Sequence, residues 1–463
     1  MVRYWTRAVL LLALWPRVSL AQDSRSVREP LIPPTCMILA SHIRQLEGQV
    51  GISAADENNE DSHRVQTAID GCPAGHAVEL AADGDRRAFL IGPIILKDGI
   101  TLLLDRAVTV YASRRRADYD VQPGSCGVLT TVRTAGCKAL ISGDGIAHAA
   151  IMGEGTVDGR GGSSTLGSDG APGATWWEMA SSSGSGLLKH NPRMIDFENA
   201  RDITIFKTHL RNAAGFHVAF RLSSGLTIWG VTLDTPYAAR NSDGIDPMGS
   251  NDITIAYSFI RTGDDNIAIK ADDGRPSSHI SILNSHLYWG HGLSIGSGTF
   301  PAVTAVLVRD VTLDGTRLAA IRIKSGASNG GVVSGILYDQ VCIRDSDRPI
   351  QIESGYSDAD DTRDDRVPVF KDITLHDVVI SGGGKILVAG HDEVHAADIR
   401  LSGVVLADGP ENYRFSAAFA RVHLGPEPVN FTMTGRGVQV DGMPGTNAAA
   451  RCAAAFVPFP TGR

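Results

Sequence analysis

Four short strings between residues 241 and 324 gather acidic, imidazole and cationic side chains: Asn241-Ser242-Asp243, Gly263-Asp264-Asp265, Gly290-His291-Gly292 and Arg322-Ile323-Lys324. Three carboxylates brought close together cannot all ionise freely. Mutual repulsion raises at least one pKa and leaves a protonated acid beside ionised neighbours. That combination suits glycosidic hydrolysis, in which one carboxyl group protonates the leaving oxygen and another activates water. His291 could hold or tune the acid by hydrogen bonding. Arg322 and Lys324 could bind a carboxylate on the substrate, the arginine bidentately. Each string alone has a plainer reading, because Asp-Asp and Gly-His-Gly turns are mostly solvated loops or structural elements. Their phase along the chain argues against it.

That phase comes from a repeat. Apolar anchors at Ile203, Leu226, Ile253, Ile280, Val306, Ile336 and Ile373 follow one another at intervals of 23, 27, 27, 26, 30 and 37 residues. Each begins a stretch with apolar residues two apart, the period of a strand. A second strand series runs between them, at 216–220, 244–248, 266–270, 293–297, 321–325 and 350–354. Strand periodicity at this interval predicts a solenoid whose coils bury their apolar faces against one another. The expected fold is therefore all-β, a single right-handed parallel β-helix. A propeller, the alternative, needs about 40 or more residues per blade.

In such a rod, strands of consecutive coils lie about 4.8 Å apart. Asp243, Asp265 and His291 each stand two residues before an anchor of the second series (Ile245, Ile267 and Leu293), and Arg322 and Lys324 follow Ile321 by one and three. Four motifs on four consecutive coils thus collapse into one site. Strand parity raises a difficulty, since a straight strand would turn Asp243 and Asp265 inward with their apolar neighbours, where an unpaired carboxylate is costly. A bend or bulge before each strand, permitted by glycine at 244, 263 and 292, would resolve it.

The remaining chain sets the context. Arg3 and Arg7, the apolar run Ala8 to Trp15 and the small residues around Ala21 read as a secretory signal over 1–21, too short to span a bilayer. Residues 22–60 form an N-terminal segment, 61–445 the β-helix and 446–463 a tail. Val65, Ala68 and Ile69 give residues 61–70 an amphipathic helix that caps the first coil. Six cysteines in an exported chain permit disulfides. Cys36–Cys72 and Cys126–Cys137 each bracket a short segment, whereas Cys342 and Cys452 stay open, with a buried free thiol the plainest reading of Cys342. The formal charge of −8 disfavours nucleic acid and anionic membranes as partners.

The four strings resemble those of glycoside hydrolase family 28, the polygalacturonases, whose pattern is N-T-D, G/Q-D-D, G-H-G and R-I-K in this order. The similarity is densest from about 190 to 330. It also takes in the string Gly153 to Gly161 and extends from the helix near 66 to the coil near 373. Ser242 replaces the usual threonine and keeps its hydroxyl, and Asn266 stands where many members have cysteine.

The resemblance implies an endo-polygalacturonase that cleaves α-1,4-galacturonosyl bonds with inversion and without metal or other cofactor, and with the signal pattern the expected protein is an exported monomer. It implies Asp264 as general acid, Asp243 and Asp265 as the pair activating water, and His291 beside the acid. Arg322, Lys324 and Tyr356 would bind galacturonate, with Asn241 ordering the site. His190, Asn191, Arg193 and His217 are further candidates for the cleft wall. Alternatives are an exo-acting enzyme, a hydrolase of another pectin backbone, a calcium-dependent pectate lyase, or a non-catalytic polysaccharide-binding rod. The acidic run Asp358 to Asp365 lacks the ligand spacing of a calcium loop.

Overall fold

The computed structural model describes residues 22–45, 51–130, 136–167, 169–182, 188–271, 274–356, 366–445, 452 and 455–460. The signal segment and the acidic run 358–365 lie outside them. The apolar anchors are the interior of the rod. Ile203, Leu226, Ile253, Ile280, Val306, Ile336 and Ile373 pair in parallel register from coil to coil. A second interior column follows two residues later, through Ile205, Ile228, Ile255, Ile282, Val308, Tyr338 and Leu375. All these side chains are essentially inaccessible to water. The result is one 33-stranded sheet wound into a right-handed parallel β-helix.

Three strands make a middle coil. Asn251–Ala256 carries the first anchors, Phe259–Arg261 follows after a short turn, and Ile267–Ile269 belongs to the site-bearing series. The site strands are Val218–Arg221, Ile245–Met248, Ile267–Ile269, Leu293–Ile295, Ile321–Lys324 and Ile350–Glu353. Their own anchors Val218, Ile245, Ile267, Leu293, Ile321 and Ile350 stand in register, so a residue at a fixed offset recurs in a straight column.

The N-terminal end departs from expectation in one respect. Thr35–Ala40 is already a strand, paired in parallel with His76–Ala81, although it precedes residue 61. Most of its side chains are exposed, so it has no inward alternation to announce it. The capping helix is present as α1 (Ser62–Gly71), burying Val65, Ala68 and Ile69. A second helix, α2 (Trp176–Ser182), has no periodic stripe long enough to be read from sequence. It is docked by its tryptophans: Trp176 meets the Tyr119 ring edge-on and the Trp177 indole donates to the Ala213 carbonyl.

Residues 22–34 carry no strand yet lie against the rod, where the Asp23 amide donates to Ser281 and its carboxylate accepts from Thr254. Disulfides Cys36–Cys72 and Cys126–Cys137 are as the spacing suggested. Cys342 is not a free thiol. It pairs with Cys452 across 110 residues, pinning the tail to the outside of a strand, a separation that no local bracketing rule can reveal. Among the described residues no helix is long and apolar enough to cross a membrane.

Because each interior side chain is packed by the coils above and below it, Ile255→Ala should cost about 2–5 kcal/mol. Urea unfolding checks this, and an unchanged midpoint would contradict the stacked core.

Candidate active site

The parity difficulty is resolved by a turn that ends where each site strand begins. Gly244 N–H donates to the Asp265 carbonyl at 2.9 Å, and Asn266 N–H donates to that of Gly292 at 2.9 Å. The ladder of the rod therefore runs on through the turns that carry the acids. Their backbones lie too close for side chains: a Cβ on Gly244 would stand 2.2 Å from the Asn266 carbonyl oxygen, and one on Gly263 2.1 Å from that of Ala239. Asn241 adopts φ 57°, the left-handed conformation that asparagine tolerates. The Ser242 hydroxyl donates to Ala239 O at 2.6 Å and accepts from Gly263 N–H at 3.0 Å, binding the first acidic turn to the second. Asn266 performs the same office one coil on, donating to Tyr288 O at 3.1 Å and accepting from Gly292 N–H at 3.1 Å.

On these turns the predicted residues converge. Asp265 is buried, and three side chains from the next two coils hold its carboxylate: the Ser294 hydroxyl at 2.7 Å, Arg322 Nη1 at 3.2 Å and Lys324 Nζ at 3.1 Å. Asp264 is only partly buried. Its Oδ1 accepts from His291 Nδ1 at 2.9 Å and from the Asp265 amide at 3.0 Å, and its Oδ2 accepts from the Asn241 amide at 3.3 Å. The Tyr356 ring lies 5.7 Å from the Arg322 guanidinium carbon and 5.2 Å from Lys324 Nζ. Asp243 is buried, with Lys270 Nζ 3.5 Å from its Oδ2 and no hydrogen-bond partner on Oδ1.

The carboxylates experience different fields. Burial opposes the charge of Asp264, yet the His291 hydrogen bond and charge, helped by Lys324, hold its carboxyl well below the usual range. Burial pushes Asp243 well up, reinforced by Asp246, Asp264 and Asp265 and opposed by Lys270. Asp246 is raised by burial despite its 2.7 Å ion pair with Lys270.

Asp264, Asp265 and His291 also present ligand atoms within 4.8 Å of one another. Both Asp265 oxygens already face cations, so a metal ion would have to displace two ion pairs.

Of the additional candidates, His217 and Asn191 are structural. Asn191 donates to the Trp176 and Ala214 carbonyls. His217 is completely buried, with Nδ1 facing the Asp243 carbonyl at 2.9 Å and Nε2 facing the Thr235 hydroxyl at 2.7 Å. A carbonyl can only accept, which fixes the proton on Nδ1. His190 Nδ1 faces Ser125 O at 3.4 Å. Arg193 pairs with Asp196 and lies over the Phe216 ring, on the same side of the rod as Lys270.

Sequence reasoning missed Asp246, Lys270 and Ser294. The signal was available. Asp246 and Ser294 follow their anchors by one, as Arg322 does, and Lys270 follows Ile267 by three, as Lys324 follows Ile321.

A rod that floors its face with paired carboxylates, a histidine and two cations carries the equipment of a glycoside hydrolase. The chain belongs to the glycosyl hydrolases family 28, whose model matches residues 96–421. It is 35% identical to a polygalacturonase of Ralstonia solanacearum, with 94% of this chain and 92% of the relative covered. It is 37% identical to an endo-polygalacturonase of Pectobacterium carotovorum subsp. carotovorum, covering 86% and 92%. The solved polygalacturonase from Erwinia carotovora ssp. carotovora superposes with a TM-score of 0.77 at 34% identity, over 87% of this chain and all of that one.

His217 links site geometry to stability. Burial pushes its pKa from 6.5 down to about 4, against the opposing hydrogen bond to Asp243 O. The unfolded chain thus binds the proton first, so the stability this imidazole contributes is complete above pH 6.5 and is lost as pH falls through about 4. Unfolding midpoints measured across that window should fall less steeply for His217→Gln than for the parent. Equal slopes would contradict the buried neutral imidazole.

Proposed function

We propose that the protein is an exported endo-polygalacturonase that hydrolyses α-1,4-galacturonosyl linkages of polygalacturonate with inversion of the anomeric centre. One observation carries the reading: an acid–imidazole pair, Asp264–His291, adjoins a carboxylate, Asp265, that is locked by two cations. Each part has a use. Asp264 reaches the glycosidic oxygen from the partly open side of the cluster and delivers a proton to it. Asp243 and Asp265 lie deeper and activate the water that attacks from the opposite face of the sugar. Arg322 and Lys324 take the galacturonate carboxylate, and Tyr356 packs beside it.

Ionisation in the empty site would by itself nominate Asp243 as the acid, since Asp243 is raised and Asp264 lowered. Position favours Asp264. Asp243 is sealed in the floor, whereas Asp264 holds a proton jointly with His291 along a 2.9 Å hydrogen bond. The acid is then the pair, with the imidazole returning a proton to the carboxylate. A bound galacturonate brings another negative charge next to Lys324 and Arg322, which raises the carboxyl pKa when the proton is needed.

The endo-acting Pectobacterium relative supports cleavage within the polymer over release from its end. The signal pattern at residues 1–21 and the three disulfides support export.

Asp264→Asn should keep the parent's fold and lose activity on polygalacturonate by at least the 10²–10⁴-fold, on the order of magnitude, that general acid catalysis supplies. Reducing-sugar release with chromatography of the products checks this, and the parent should yield mixed oligomers early. Near-normal turnover by the variant would sink the assignment of the acid.

A further inference from the structure

Lys270 stands in the same column as Lys324, two coils before it, yet no step of the hydrolysis above uses it. Its Nζ lies 2.7 Å from Asp246 Oδ1 and 3.5 Å from Asp243 Oδ2. Both carboxylates are buried, and each keeps one oxygen without a partner: Oδ2 of Asp246 and Oδ1 of Asp243. Two buried acids therefore share one ammonium group, and Asp246 has the closer hold on it. A buried ion pair of this kind is weak evidence for stability, because desolvation offsets much of the attraction. Its place beside a water-activating carboxylate suggests another use.

We propose that the Asp246–Lys270 pair is a positioning device for the reaction, in which Lys270 favours the ionised form of Asp243 and Asp246 limits how strongly it does so. The inference rests on the assignment of Asp243 made above. The groups facing Asp243 can be named element by element. Asp246 comes from its own strand, Asp264 and Asp265 from the turn of the following coil, and Lys270 from that coil's strand. From the preceding coil comes His217, which meets only the main-chain oxygen of Asp243. Arg193 acts on Asp246 and is itself paired with Asp196. Burial and all three neighbouring carboxylates push Asp243 up, and Lys270 opposes them. A lone opposite charge within about 4–6 Å lowers a carboxyl pKa by about 1–3 units. A shared ammonium should act with less than its full effect.

The two partners of the pair should then shift the enzyme in opposite directions. The acid limb of the kcat/KM profile reports the essential base of the free enzyme. Lys270→Met, measured on an oligogalacturonate beside thermal unfolding, should move that limb up by roughly one pH unit or more. Asp246→Asn leaves the ammonium to Asp243 alone and should move the limb down. Lys270→Arg should restore the parent position. A merely structural pair would depress activity at every pH in both variants and leave the limb in place. Limbs that stay put, or move in the same direction, overturn the proposal. Should Lys270→Met fail to fold, the isosteric Asp246→Asn decides alone: a downward shift supports the proposal and any other result overturns it. Asp243→Asn is the control that separates the two readings, since turnover in that variant would remove the assignment of Asp243 itself.

Discussion

The carboxylate of Asp265 is the charge on which the site depends. It is buried, and it is tolerable there because Ser294 reaches it from the next coil and Arg322 and Lys324 from the coil after that. A buried carboxylate without such partners would be protonated or would destabilise the fold. Those partners arrive only if three coils keep register, and register is what the interior isoleucine and leucine columns enforce. A slip of one residue would send every apolar side chain outward and every site residue inward. Packing and chemistry are thus one constraint, applied to two faces of the same strands.

Around that fixed charge the site separates its remaining acids. Asp264 faces His291 on the partly open side, whereas Asp243 lies sealed beside Asp246 and a shared lysine. Counted together, four carboxylates face three cations and an imidazole, so one proton held by the cluster leaves it electrically neutral. An arriving galacturonate unit would disturb this balance in the direction that favours a protonated acid. Under the proposed roles, a single set of side chains would both bind the sugar and prepare the proton it receives.

Much of this was legible in the sequence because repetition makes it so. Anchors such as Ile253 and Ile280 recur at coil length, and a residue's offset from its anchor states which way it points. Arg322 and Lys324 obey that rule directly. Asp243 and Asp265 defy it, and the reason lies in backbone contacts such as that of Gly244 with Asn266 O, which no periodicity records. Asp246 and Lys270 obey the rule, but an outward acid or lysine on a strand has, by type alone, the look of an ordinary solvated charge. The strand Thr35–Ala40, the helix α2 and the Cys342–Cys452 bond were illegible for a different reason. Each is defined by a partner far along the chain, not by a pattern of its own.

In the proposed reaction, water activated by buried carboxylates attacks the sugar from the face opposite Asp264. Proton NMR of the reducing end released in the first moments of polygalacturonate cleavage tests this most directly. The β-anomer should appear first, equilibrating later to the mixture. The α-anomer appearing first would mean a covalent intermediate on one of these carboxylates and would contradict the arrangement described.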